Sequence, residues 1–294
     1  MHQLRSCLMK KGKNMKTTFL IVMMLVSAFL QGQAFIPTDL NISQVFGERE
    51  IIIVITSYNN KLWCRHNLDS VFAQKYSNYS VMFMDDFSTD GTHDLVVEYI
   101  REKKVNHKIR VGKNTKRQGA LANIYVMIKN CPDSAIIVLL DGDDILAHEN
   151  VLSRINKTYS DPSVWLAYSQ FLMWPTGEKG WNDYYDKKLI DTTANRNDYA
   201  CSHIRTFYAA LFKKIKLEDL VYEQKFFKMS WDKAIMLPMM EMARNGHYAF
   251  IPEVLYIYNT ANPLNDHKVD LDQQKKLDIL IRSKKRYEAI PSLF

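Results

Sequence analysis

The stretch A-I-I-V-L-L-D-G-D-D, residues Ala135 to Asp144, decides the fold. Its apolar first part, Ala135 to Leu140, is typical of a strand buried inside a parallel sheet. Three carboxylates, Asp141, Asp143 and Asp144, follow where that strand ends. Ligands of open α/β sheets bind outside the carboxyl ends of the strands, and divalent cations that bridge phosphates prefer carboxylate oxygens. The stretch therefore predicts an α/β fold with a cation- and phosphate-binding site.

An ordinary strand-to-helix loop is the alternative interpretation of these acids. One of them would cap a helix and the other two would be solvated, whereas three adjacent carboxylates repel one another unless a cation or a basic partner is present. A calcium loop of the EF-hand type needs an oxygen ligand and a glycine where this chain has Ile145 and Leu146. The cation–phosphate interpretation is therefore favoured.

Strand and helix patterns alternate on both sides of this stretch. Strands are predicted over 50–58, 79–84, 109–112, 135–140, 164–173 and 248–259. Helices are predicted over 62–74, 95–102, 120–129, 151–159, 207–214, 231–244 and 270–287. Alternation of this kind predicts a Rossmann-like, mainly parallel central sheet flanked by helices. Residues 174–200, rich in aromatic residues with Pro and Gly, are predicted to form a long loop over the site.

The first 36 residues have the pattern of a targeting segment. Four lysines between residues 10 and 16 precede an apolar run over 19–30, and small residues follow it. This pattern predicts a secretory signal peptide or an uncleaved signal anchor, because the run is short for a membrane span. We expect a protein of the secretory pathway, secreted or associated with the membrane through its N-terminal segment.

Composition places the rest of the chain among ordinary globular proteins. Of 294 residues, 47% are hydrophobic and 24% charged, which is enough for a sizeable core. The net charge of +7 is spread along the chain; it suits anionic ligands and does not indicate a nucleic-acid partner. Outside the first 36 residues, three widely separated cysteines lack the spacing of a zinc site or a disulfide framework.

Polar residues follow three of the predicted strands. They are 56–59 after the first strand, Asp85 and Asp86 after the second, and the acids of 141–144 after the fourth. If these strands are parallel, all three groups lie at one edge of the sheet. This arrangement predicts a nucleotide pocket.

Four motifs occur in order: V-I-T-S-Y-N-N (54–60), M-D-D-F-S-T-D-G-T (84–92), N-x-x-R-Q-G-A-L-A-N (114–123) and L-L-D-G-D-D (139–144). Together they resemble the successive signatures of the family 2 inverting glycosyltransferases of the GT-A fold. The resemblance implies a GT-A type α/β fold with a mixed acceptor-side subregion. It implies one domain over 37–294, composed of a nucleotide-sugar-binding half (about 50–145), an acceptor half (about 146–262) and a C-terminal helical tail (about 263–294).

The resemblance also implies roles for the residues of the nucleotide pocket. Thr56 and Tyr58 would line the base and ribose pocket, and Asp86 would accept a hydrogen bond from a uracil-type base. A cap of the helix that begins near Thr89 is the alternative for Asp86. Arg117 would contact the diphosphate, or it is a solvated surface residue.

The three carboxylates Asp141, Asp143 and Asp144, called the acid cluster below, would be the DxD element of that family. Asp143 or Asp144 would hold Mg²⁺ or Mn²⁺ on the nucleotide diphosphate, and Asp141 would touch ribose or orient the turn. Asp232 would be the general base, with an ordinary acid of a helix N-terminus as the alternative. His203 and Arg205 would contact the acceptor and the donor sugar, with a structural histidine as the alternative for His203.

The predicted function is metal-dependent, inverting and non-processive transfer of a sugar from a nucleotide-sugar donor, expected to be a UDP-sugar. The acceptor would be a hydroxyl of a glycan, a lipid-linked molecule or a protein, and the Q-x-x-R-W element of processive synthases is absent from the sequence. Two alternatives stay open: a non-catalytic protein that binds nucleotide-sugars or glycans, and a sugar-nucleotide pyrophosphorylase. The pyrophosphorylase would need a Gly-rich phosphate loop after the first strand, where residues 57–60 contain no glycine.

Overall fold

The computed structural model describes residues 47–182, Arg196 and residues 201–294. The predicted targeting segment (1–36) and most of the predicted aromatic loop (174–200) lie outside these described residues. Within them, no helix has both the length and the hydropathy needed to cross a membrane.

An eight-stranded sheet forms the centre of residues 48–294. Its strands are β1 (Ile51–Ser57), β2 (Tyr79–Asp85), β3 (Ile109–Lys113), β4 (Ile136–Asp141), β5 (Ile145–Leu146), β6 (Leu166–Trp174), β7 (Arg205–Tyr208) and β10 (Tyr248–Asn259). Their order across the sheet is β3-β2-β1-β4-β7-β6-β10-β5. Two further strands, β8 (Val221–Tyr222) and β9 (Lys225–Phe226), form a separate hairpin. All seven residues of β1 are buried, as expected for a strand covered on both faces.

Helices connect the parallel strands and cover the sheet. They are α1 (Lys61–Phe72), α2 (Thr92–Lys103), α3 (Ala120–Lys129), α4 (Val151–Thr158), α5 (Ala209–Lys213), α6 (Trp231–Met242), α7 (Asp266–Val269) and α8 (Leu271–Ser283). Helix α1 packs against α2 and β5, while α3 packs against β1 and α5. The predicted α/β fold with a mainly parallel sheet is therefore confirmed.

One predicted element is wrong, and the difference affects the site. Residues 207–214 were expected to form one helix, but Arg205–Tyr208 form β7 and only Ala209–Lys213 are helical. Strand β7 runs antiparallel between β4 and β6, with Arg205 paired to Leu139 on one side and to Tyr168 on the other. Four residues are too short for a periodic signal, and their strand partners are remote in the sequence. The pairing places Arg205 beside the strand that carries the acid cluster.

Candidate nucleotide and cation site

The carboxyl ends of β1, β2 and β4 meet at one edge of the sheet, as the sequence predicted. In the parallel registers Thr56 lies beside Asp141, and Ser57 lies beside Asp85. The amide of Gly142 donates to the Thr56 carbonyl at 3.0 Å. A Cβ atom at Gly142 would lie only 2.7 Å from the Ser57 side chain, so the turn needs glycine because another strand end approaches it closely.

A side chain of helix α1 fixes the backbone of the turn from Asp141 to Asp144. The buried Asn67 amide donates to the backbone carbonyls of Asp141 at 2.9 Å and Asp144 at 2.7 Å. One side chain therefore fixes both ends of the turn that separates these two acids. Asn67 was not predicted as a site residue, because its position within a helix does not reveal which loop its side chain contacts.

The end of β10 holds the acid side chains from the other side. The Tyr256 hydroxyl donates to Asp144 Oδ2 at 2.6 Å, and the Asn259 amide N–H donates to Asp144 Oδ1 at 2.6 Å. The Asn262 side-chain amide donates to Asp143 Oδ2 at 2.6 Å. The polar run that begins at Asn259, where this strand ends, is the sequence signal for these contacts.

Several buried negative charges are concentrated here. Burial raises the pKa of Asp144 well above its usual value, and the nearby Asp143 and Asp141 carboxylates raise it further. Burial also raises the pKa of Asp141, although the Arg205 guanidinium opposes this. Burial raises the pKa of Asp143 to about 6, with the hydrogen bond from Asn262 opposing. A bound cation would offset this clustering of like charges.

His203 completes a set of groups that fits a cation. Its ring stacks on Tyr256 and Tyr258, with centroids 4.6 and 4.8 Å away. Its Nδ1 atom is buried and has no hydrogen-bond partner in the described part of the chain. Burial, aided by the nearby Arg205 charge, lowers the pKa of His203 well below its usual value and so favours the neutral, metal-binding form.

Ligand atoms of Asp141, Asp144 and His203 lie within 4.8 Å of one another. Carboxylates suit Mg²⁺ or Mn²⁺, and the buried imidazole nitrogen offers a further ligand atom. The structure thus brings the predicted ligand Asp144 together with Asp141 and His203. Asp143, the other predicted ligand, is adjacent in the chain but directs a carboxylate oxygen to Asn262.

Arg205 links this cluster to the predicted general base. Its buried guanidinium places Nη1 3.6 Å from Asp141 Oδ2 and Nη2 3.9 Å from Asp232 Oδ2. It also lies over the Trp231 ring, 5.0 Å from the centroid. Because Asp232 is in the first turn of α6, the guanidinium brings that helix end to the acid cluster.

A further acid, Asp266, lies at the same place and was missed in the sequence. Its carboxylate accepts a hydrogen bond from the Ser230 backbone N–H, directly before α6. Burial raises the pKa of Asp266 to about 7, the Asp232 and Asp141 charges add to this, and Arg117 opposes. The chain after β10 therefore reaches both the acid cluster and the start of α6.

Three of the residues predicted to bind the nucleotide, Tyr58, Asp86 and Arg117, lie close together. The Arg117 guanidinium lies 3.7 Å from the centroid of the Tyr58 ring, and its Nε is 3.9 Å from Asp86 Oδ2. Asp86 is buried and accepts hydrogen bonds from Asn114 Nδ2 at 2.7 Å and from two backbone amides before α3, Gln118 at 2.8 Å and Gly119 at 2.8 Å.

Burial opposes the ionisation of Asp86, but the hydrogen bonds from Gln118, Asn114, Asn123 and Gly119 lower its pKa. Asp86 thus holds the loop at 114–119 in place. The helix that follows Thr89 is α2, and its Thr92 amide donates to Asp90, not to Asp86. The predicted alternative, in which Asp86 caps that helix, is therefore not observed.

Comparisons with known proteins find matches to this chain in sequence and in structure. The sequence profile of Glycosyl transferase family 2 matches residues 52–221. An uncharacterized glycosyltransferase of Rickettsia conorii is 27% identical over 108 residues, and one of Rickettsia felis is 26% identical over 108 residues. Each alignment covers 37% of this chain but only 17% of the relative.

Solved structures share the fold. The mannosyltransferase PcManGT from Pyrobaculum calidifontis, in complex with GDP-Man and Mn²⁺, has a TM-score of 0.55 at 18% identity, covering 82% of this chain and 66% of that chain. A fragment of TarS from S. aureus in complex with UDP-GlcNAc has a TM-score of 0.54 at 14% identity, covering 79% of this chain and 65% of that chain. At these identities the likeness concerns the fold.

Proposed function

Because the chain belongs to glycosyl transferase family 2, we propose that it transfers a sugar from a nucleotide-sugar, a UDP-sugar, to an acceptor hydroxyl with inversion and with help from Mn²⁺ or Mg²⁺. The observation that carries this proposal is the position of Arg205, whose guanidinium lies between the acid cluster and Asp232. One guanidinium therefore contacts both the proposed cation site, through Asp141, and the candidate general base, Asp232. Sugar transfer of this kind needs both of these parts.

Donor binding would use the edge of the sheet. Tyr58 would offer an aromatic face for the base, and Thr56 lies two positions earlier in the chain, near the end of β1. Asp141, Asp144 and His203 would hold the cation. When bound, the cation would offset negative charge that develops on the leaving diphosphate.

Asp232 would act on the acceptor. Its carboxylate would take the proton of the acceptor hydroxyl as that oxygen bonds to the anomeric carbon. The bond from that carbon to the diphosphate breaks on the opposite side, so a single displacement inverts the anomeric configuration. Arg205 would keep the Asp232 carboxylate aimed at the site, and the Ser230–Asp266 hydrogen bond would fix the start of α6.

The boundaries predicted from the sequence belong to the same proposal. A single transferase domain would extend over 37–294, after a targeting segment at 1–36 that directs it to the secretory pathway. The acceptor would be a glycan, a lipid-linked molecule or a protein.

Donor cleavage tests the proposal. The purified protein is incubated with a panel of UDP- and GDP-sugars, simple glycoside acceptors and Mn²⁺ or Mg²⁺, and nucleoside diphosphate release is followed with EDTA as the control. We expect release that requires the cation, and NMR of the product should show an inverted anomeric centre. Donor binding without release would favour the non-catalytic binder. Formation of a nucleoside triphosphate from pyrophosphate would favour the pyrophosphorylase.

A further inference from the structure

The contact between Arg117 and Tyr58 occupies the surface that a base would need. The guanidinium carbon lies 3.7 Å from the centroid of the Tyr58 ring, which is van der Waals contact with its face. The Arg117 side chain is nevertheless 61% exposed, so packing does not force it there. A solvent-exposed guanidinium on an aromatic face is held weakly.

The backbone beneath Arg117 is held independently of this contact. Asp86 accepts hydrogen bonds from the Asn114 side chain and from the backbone amides of Gln118 and Gly119, at 2.7 to 2.8 Å. The Nε of Arg117 is farther from Asp86, at 3.9 Å. The Arg117 side chain can therefore leave Tyr58 while the 114–119 loop keeps its shape.

A second direction is open to this guanidinium. Arg117 is among the charges that act on the pKa of Asp266, which lies with Asp232 and Asp141 at the acid cluster. The guanidinium, in contact with Tyr58, is thus within electrostatic reach of the region where the proposed cation and diphosphate would bind. A guanidinium fork also suits phosphate oxygens, with which it forms charge-assisted hydrogen-bond pairs.

Resting on the proposed function, we propose that Arg117 occupies the place of the base in the free protein and moves onto the diphosphate when the donor binds. The base and the guanidinium compete for one face of Tyr58, so the nucleoside part of the ligand must displace Arg117. The diphosphate part of the ligand then gains a contact with the displaced Arg117 guanidinium. Arg117 therefore opposes nucleoside binding and favours nucleoside diphosphate binding.

Calorimetric titrations of uridine, UDP, guanosine and GDP, all with Mn²⁺, separate these two effects. In Arg117→Gln we expect nucleoside affinity to rise about two- to five-fold, because a weak competitor is removed. We expect affinity for the nucleoside diphosphate to fall about 10-fold or more, because a charge-assisted contact is lost. Arg101→Gln, the same substitution at an exposed position on α2, is the matched control and should leave both affinities unchanged.

Two results would overturn the inference while leaving the proposed function intact. If Arg117→Gln lowers the affinities for the nucleoside and for the nucleoside diphosphate equally, Arg117 only lines the pocket and does not compete with the base. Unchanged affinities for both would make it a surface residue without a role. If the wild-type protein binds neither UDP nor GDP, the proposed function fails first, and this inference fails with it.

Discussion

Replacing Tyr256 by Phe removes one hydroxyl from the centre of the proposed cation site. That hydroxyl donates to Asp144 Oδ2 at 2.6 Å, and it accepts a hydrogen bond from the Asp141 backbone N–H at 3.2 Å. The ring, which stacks on His203, would remain. The substitution therefore tests whether the hydrogen bonds of the Tyr256 hydroxyl position Asp144 and Asp141 to hold a cation.

The expected size of the effect follows from these contacts. A hydrogen bond to a charged, buried group contributes about 1.5–3 kcal/mol. At roughly 2–4 °C per kcal/mol for a domain of this size, the melting temperature should fall by about 3–12 °C. Loss of a group that orients metal ligands typically lowers metal affinity about 10- to 100-fold. We expect a loss of that size for Mn²⁺, measured by calorimetry in the presence of UDP.

Tyr258→Phe is the matched control. Its ring also stacks on His203, at 4.8 Å, but in the described residues its hydroxyl makes no hydrogen bond to the acid cluster. Deleting this hydroxyl should leave Mn²⁺ affinity close to that of the wild type. The reasoning is refuted if Tyr256→Phe binds Mn²⁺ as tightly as Tyr258→Phe, or if it loses stability without any loss of Mn²⁺ affinity.

Three further predictions concern the base, a buried ion pair and pH. Asp232→Asn should bind UDP within about two-fold of the wild type but transfer sugar at least about 100-fold more slowly; normal turnover would show that another residue is the base. Arg196→Met should lower the free energy of unfolding in urea by about 1.5–3 kcal/mol, because it removes the guanidinium that contacts both Glu241 carboxylate oxygens, at 2.7 and 2.8 Å, and leaves that buried carboxylate with Arg286 at 3.3 Å and the Tyr287 N–H at 2.9 Å. The double variant with Glu241→Leu should recover part of the loss, and no recovery would contradict the ion-pair argument. Since the pKa of Asp266 is raised to about 7, this group binds a proton more readily in the folded state, and its contribution to stability falls as pH rises from about 4 to 7. Asp266→Asn should therefore melt at a higher temperature than the wild type at pH 8 in EDTA, with the difference shrinking towards pH 4, and an equal difference at both pH values would refute the assignment.

Local sequence patterns determined the six longer strands, most of the helices and the edge of the sheet where the site lies. The apolar run before Asp141 and the alternation of strand and helix patterns around it are short-range signals, since burial repeats every two residues in a strand and about every 3.6 in a helix. Polar residues at successive strand ends could be placed together for the same reason, because parallel strands end at one edge of a sheet. Thr56, Asp86 and Asp141 accordingly lie where the sequence predicted.

Tertiary structure alone decided which side chains complete the site. Asn259 and Asn262 contact acids 115 and 119 positions earlier in the chain, contacts that only the placement of β10 in the sheet creates. The four-residue strand β7 carries too little pattern to be recognised, yet its insertion between β4 and β6 puts Arg205 between Asp141 and Asp232. Strand order and register are set by packing over the whole sheet, and these long-range contacts, which leave no local periodicity, determine the charge balance around the acids.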